Sequence, residues 1–232
     1  MRGLHTFLKK LKACFASKEL TSVVVAFLIY QWVSRTTSYQ NMASYYEEKY
    51  GMEPHQRGYL SPYSGFIAFL VQSFLVKRLL QRAGGEKCAA CTASALLTIV
   101  TFVELKANIW IFIVILCPVI ATSGVLLNIS LRSLISQVAP KSSIGSVVAA
   151  VDILGNAVSV TTPIYRTLLF AAIASVSHSV DESAAMKGDP DPDLWLLSST
   201  FHWILTTIIF CCLLLNGKLI CIGEMFQRKK NI

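Results

Sequence analysis

Apolar residues run along this chain in six stretches, 20–46, 59–80, 88–103, 109–138, 144–176 and 194–222, separated by short polar segments. A helix that crosses the hydrocarbon core needs roughly 20 predominantly apolar residues. Each stretch therefore predicts a transmembrane helix, the third short for the task and the fifth long. Basic residues divide by side. Arg2, Lys9, Lys10, Lys12 and Lys18 precede the first stretch, and Lys77, Arg78, Arg82 and Lys87 fall between the second and third. Arg132 and Lys141 flank the turn between the fourth and fifth, and Lys218, Arg228, Lys229 and Lys230 close the chain. The opposite loops hold only Lys49, Arg57, Lys106 and Lys187, together with Glu47, Glu48, Glu53, Glu104, Asp181, Glu182, Asp189, Asp191 and Asp193. Lys/Arg bias sets topology, so both termini are expected in the cytosol. The expected fold class is an all-α membrane protein of six transmembrane helices. Residues 1–18 would form a cytosolic amphipathic helix, 19–226 the transmembrane bundle and 227–232 a basic cytosolic tail.

Composition sharpens this picture. An apolar share of 54% and a mean hydropathy of +0.56 exclude an ordinary soluble domain. The net charge of +8 is explained by inside loops facing anionic lipid, where each cation gains about 1 kcal/mol. No nucleic-acid motif accompanies it, and no nucleic-acid partner is expected. The expected location is a plasma membrane or endomembrane, as a multi-pass protein. At the start, Leu4, Phe7, Leu8, Leu11, Cys14 and Phe15 recur at helical spacing among lysines, which suits a helix lying in the interface. An acid-free, basic start of this kind also fits a mitochondrial presequence.

Candidate chemistry is sparse. His5, His55, His178 and His202 are scattered, and no GxSxG, HExxH or phosphate-cradling glycine loop occurs. The expectation is a protein that is not an enzyme and holds no metal or cofactor. Among seven cysteines, Cys88 and Cys91 form a CxxC at the third stretch, on the side assigned as reducing. A zinc site needs four ligands and no second pair completes one, so they read as small packing residues; Cys14 and Cys88 are also candidates for palmitoylation. Asn128-Ile129-Ser130 spells a glycosylation acceptor inside a span, where it would be silent. The segment Gly188-Asp189-Pro190-Asp191-Pro192-Asp193 reads as a stiff acidic loop without the ligand spacing of a calcium site.

Polar residues inside the spans carry more information, because a charge at mid-helix costs about 2.5–3.5 kcal/mol on insertion scales. Asp152 lies roughly nine residues into the fifth stretch, about 13 Å at helical rise. Arg132 lies a comparable distance up the fourth, so a hairpin would bring the two to similar depth. They could form a structural salt bridge, a gate or proton-linked pair, or make no contact. Gln31, Arg35, Ser38, Tyr39 and Met42 trace one stripe in the first stretch, either lining a cavity or letting Arg35 snorkel to the outer surface. Asn128, Gln137 and Asn156 add polarity to the fourth and fifth stretches. Small residues at four-residue steps, Gly145 with Ala149 and Gly155 with Ser159, would allow close helix approach. Pro118 and Pro163 interrupt backbone bonding within spans.

The run from Asn128 through Arg132, Ser133, Ser136 and Gln137 to Pro140, followed by Gly145, Asp152 and Pro163, resembles the tenth and eleventh helices of major facilitator superfamily transporters. The similarity is greatest to organic-cation-transporter-like proteins and tetracycline-type proton antiporters. Arg82-Ala83-Gly84 is similar to the R-x-G of that family's loop motif, with Gln81 where the motif carries an acidic residue. The resemblance spans nearly the whole chain and corresponds to the C-terminal half of a family member. It implies half of a two-bundle transporter that moves a small organic solute, cationic in the relatives it most resembles, by alternating access coupled to protons. Arg132 and Asp152 would then form a charge pair, with Gln31, Arg35, Tyr39, Asn128 and Asn156 lining the cavity. The implied partners are the lipid bilayer, the solute, the proton, and a second six-helix half or a second copy of the chain. A half that does not transport, and instead binds and regulates a full-length transporter, fits the same resemblance.

Overall fold

The computed structural model describes residues 15, 17–37, 43–180 and 192–215. The expected amphipathic segment up to residue 14, Tyr39 and the tail 227–232 lie outside them. The described residues form seven helices joined by turns, with no strand among them. They are α1 (Lys18–Thr37), α2 (Ala43–Tyr50), α3 (Pro54–Ala83), α4 (Glu86–Glu104), α5 (Ile109–Val138), α6 (Ile144–Val180) and α7 (Pro192–Leu214).

Five of these, α3 to α7, are long and apolar enough to cross a membrane; in α6 the candidate span is Ile144–Ile173. The short third stretch is a complete 19-residue helix. The first stretch differs from expectation: it is divided into α1 and the separate eight-residue α2. At 20 residues α1 is long enough to span, but Lys18, Glu19, Gln31 and Arg35 dilute its apolar content and it is not among the five.

Local chemistry fixes the helix ends. Ser17 Oγ accepts the Leu20 N–H at 3.2 Å and caps α1. Pro54 opens α3, where its missing N–H costs nothing, and Gln56 Oε1 accepts the Glu53 N–H at 3.1 Å. Gly84, at φ +82°, ends α3 in the left-handed conformation that side chains resist. The Arg82-Ala83-Gly84 motif thus has a structural use as a helix stop.

α1 sits at the centre. Leu20, Val24, Ala26 and Phe27 are fully buried against α5, α6 and α7, with Leu127, Leu131, Val147 and Phe210 in the same core. α4 packs most closely on α5 and α7, where the Thr98 and Thr207 hydroxyls meet at 3.2 Å. α3 is peripheral, with Tyr59, Phe66, Phe69 and Phe74 facing outward. Hydroxyls within the bundle mostly donate one turn back, as Thr37 does to the Val33 carbonyl and Thr101 to Leu97. That pattern satisfies a polar group where no water is at hand.

Two π-helical turns widen the spans, at Val71–Leu75 in α3 and Phe112–Leu116 in α5. The second has a clear cause. Pro118 follows five residues after Ile113 and has no N–H to offer its carbonyl; the Tyr63 hydroxyl, from α3, donates to Ile113 O instead at 3.2 Å.

The small-residue pairs differ from each other, Gly155 being buried and Ser159 half-buried. Gly145 and Ala149 are exposed, and a Cβ added at Gly145 or Gly155 would meet nothing within 4 Å. Ser159 turns its hydroxyl onto the Gly155 carbonyl. Val147, Ala150 and Val151 supply the α6 contact instead, because they lie on the face turned to α1. Cys88 also departs from the free thiol expected of it: it is disulfide-bonded, whereas Cys91 is a free, buried thiol beside Cys211.

Replacing Gly84 with Ala forces a Cβ into the left-handed region and should destabilise the protein by about 1 kcal/mol. Thermal unfolding in detergent reads this directly. Gly124→Ala, in open space at ordinary backbone angles, is the control; equal midpoints for the two would refute the cap assignment.

Candidate functional site

The structure brings Arg132 and Asp152 together. Arg132 Nη2–H donates to Asp152 Oδ1 at 3.3 Å, and its Nε–H donates to Asn128 Oδ1 at 3.0 Å. The guanidinium also lies 5.4 Å from the centroid of the Phe27 ring, a cation–π distance. The asparagine of the apparent glycosylation acceptor is thereby occupied in orienting an arginine. Both side chains of the pair are 49% exposed. The pair therefore lies on a face of α5 and α6 that the other described helices leave open. Asn156, one turn beyond Asp152, is exposed on the same helix.

The polar stripe of α1 splits in two. Gln31 Oε1 accepts the Arg35 Nε–H at 3.3 Å, with Arg35 exposed. Tyr30, Ser34 and Thr37, one position round the helix, face a cavity of about 980 Å3. None of Gln31, Arg35, Asn128 or Asn156 lines that cavity; the helical rotation of 100° per residue directs them elsewhere. Its other walls are Arg57, Ser61 and Ser64 from α3, Thr101 from α4, Phe112 and Gly124 from α5, and Ser199 and Trp203 from α7. Sequence reading missed these, although one signal was present. Positions 57, 61, 64 and 65 place Arg, Ser, Ser and Gly on one face of an otherwise apolar helix, the same pattern that singled out α1. A pocket of this size matches sites for small organic molecules, commonly about 300–1,000 Å3.

Behind the aromatic wall lies Glu104, with 0% of its surface exposed. Its Oε1 accepts the Tyr45 hydroxyl at 3.0 Å and that of Tyr50 at 3.5 Å, while Oε2 has no partner. Burial, with the Glu104 carboxylate beside it, pushes the Tyr50 phenol well above its ordinary value, so it remains a donor. Lys49 donates to the Leu105 carbonyl at 3.1 Å and pairs with Asp193, tying α2 to the ends of α4 and α7. On the other side of the bundle His202 Nδ1 lies 2.7 Å from the Ser198 carbonyl. A carbonyl only accepts, so Nδ1 carries a proton, and Nε2 meets the Tyr165 hydroxyl at 2.7 Å. Trp32 of α1 packs against Tyr165 with centroids 4.5 Å apart and the ring planes tilted by 54°. Near the end of the α6 span, Arg166 stands over the stacked Phe170 and Trp195 rings. Glu86 Oε1 accepts Gln137 Nε2–H at 2.9 Å and joins α4 to the end of α5.

The described residues have the all-helical architecture of a membrane protein, with a cavity lined by polar and apolar groups and an exposed charge pair among the helices. Comparison with protein-family models, curated proteins and solved structures gives no match to this chain.

The charge pair generates a test. Arg132→Ala should lower stability more than Arg132→Ala combined with Asp152→Asn, because only the single change strands a carboxylate. For a half-exposed pair the coupling should be about 0.5 kcal/mol, read as the difference in unfolding midpoints. Strictly additive effects would mean that the two side chains do not interact.

Proposed function

We propose that this chain is one six-helix half of a transporter of the major facilitator kind, moving a small organic solute by alternating access coupled to protons. In this reading α1 is the sixth crossing, both termini are cytosolic, and the face of α5 and α6 that bears Arg132 and Asp152 meets a second half. The observation that carries the proposal is that half-exposed ion pair. A paired Arg and Asp in contact with lipid would be costly, whereas the same pair against another bundle or a water path is tolerable. The exposed residues around it agree: Gly145, Ala149, Asp152 and Asn156 share one face of α6, small and polar where lipid would favour large apolar side chains. Transporter solute sites lie near the membrane midplane between repeats, and the cavity beside α1 offers a place for the solute. The resemblance of the Asn128–Pro140 run supplies the family. A second copy of this chain is sufficient as the other half.

Two measurements test this. The protein mass of the native complex in detergent, with detergent subtracted, should be at least twice the 25.6 kDa of one chain; a single chain with no partner would refute the two-half assembly. In proteoliposomes under an imposed pH gradient, saturable uptake of small aromatic acids or amines should fall at least tenfold in Asp152→Asn. If monodisperse wild-type complex moves none of them, yet co-expression lowers the flux of a full-length transporter, the chain is a regulatory half instead.

A further inference from the structure

Among the described residues that form the cavity, Arg57 is the only Lys, Arg, Asp or Glu. Its side chain is 18% exposed and it meets Glu47 Oε2 at 4.0 Å, the outer limit of an ion pair, with Glu47 itself mostly in solvent. Ser199, also on the wall, is 2% exposed and its hydroxyl has no hydrogen-bond partner among the described residues. A buried hydroxyl left unmade costs about 1–3 kcal/mol, so a hydroxyl kept in this state on a cavity wall points to a ligand that completes it. Tyr46, Phe112 and Trp203 provide flat apolar walls. Glu104 does not line the cavity; it accepts hydrogen bonds from Tyr45 and Tyr50 and has Lys49 close enough to act on it.

We propose that this cavity binds a small organic anion with a flat apolar body, its charge held by Arg57 and a polar edge by the Ser199 hydroxyl. The proposal rests on the transport reading only in taking the occupant as the transported solute. Guanidinium pairs bidentately with carboxylate or sulfonate, and an arriving anion competes with Glu47 for it. An organic cation meets no carboxylate on these walls. A Cβ added at Gly58, Gly65 or Gly124 meets nothing within 4 Å, so these wall positions border open space.

Calorimetric titration of the full chain in detergent with 2-naphthoate and with its cationic counterpart 2-naphthylmethylammonium decides the matter. Naphthoate should bind saturably and the ammonium should not. Arg57→Gln should weaken naphthoate at least tenfold, as expected for loss of a charged hydrogen bond. Arg57→Lys, which keeps the charge but loses the bidentate fork, should weaken naphthoate less than Arg57→Gln does, and Gly124→Leu should weaken binding while the protein still elutes as a monodisperse species. Preference for the ammonium, binding of neither probe by monodisperse wild-type protein, or indifference to Arg57→Gln would each overturn the proposal. Binding is measured without flux, so the two readings separate. Charge-selective binding without transport refutes the transporter and keeps the anion site, while transport indifferent to Arg57 does the reverse.

Discussion

α1 is poorly suited to lipid, yet it lies in the middle of the bundle, and that placement organises the rest. Its Leu20, Val24 and Phe27 face is wrapped by α5, α6 and α7, which present their own apolar outer faces to the surroundings. Its remaining sides are only partly covered, and carry Val25, Leu28, Ile29 and Trp32 as well as hydrogen-bonding groups. One of these, through Tyr30, Ser34 and Thr37, opens onto the cavity; the other, through Gln31 and Arg35, stays outside it. Burial of the apolar part of a polar helix thus creates both polar features of the molecule, since neither could be turned to hydrocarbon without a penalty.

Backbone satisfaction is the second constraint. A membrane interior offers no water to an orphaned carbonyl, so interruptions must be repaired from neighbouring side chains. The π-helical turn before Pro118 shows such a repair, with a tyrosine from α3 serving the carbonyl that the proline cannot. The same turn brings Phe112 and Cys117 to the cavity wall. Distortion and opening coincide because a widened turn is harder to pack than a regular one. Such turns recur at functional sites in helices generally.

Much of the fold was legible because membrane helices follow a simple rule of length and apolarity. The stretch 109–138 matches α5 at both ends, and 144–176 falls inside α6. Residues 20–46 read as one element because Tyr45 and Tyr46 continue the apolar character, while their burial against Glu104 and Trp195 in a separate short helix is a tertiary fact. The contact of Arg132 with Asp152 followed from depth counting, which works for a hairpin of regular helices. The cavity did not follow from it. Whether Ser34 or Arg35 lines a hollow depends on a single 100° step about the helix axis, and that rotation is set by neighbours whose positions no spacing rule specifies. Gly145 and Ala149 are exposed among the described residues: a four-residue step identifies a face but not what is packed upon it.

The tyrosine that serves Ile113 has a bearing on how the protein is made. Pro118 leaves a carbonyl in α5 that cannot be satisfied within its own helix, and its donor, Tyr63, is synthesised some fifty residues earlier in α3. The donor is therefore already made when α5 emerges, and α5 is completed as soon as it docks on α3. α1 is made before α5, α6 and α7, whose side chains cover its Leu20, Val24 and Phe27 face, so the central contacts of the bundle form only once these later helices have been synthesised.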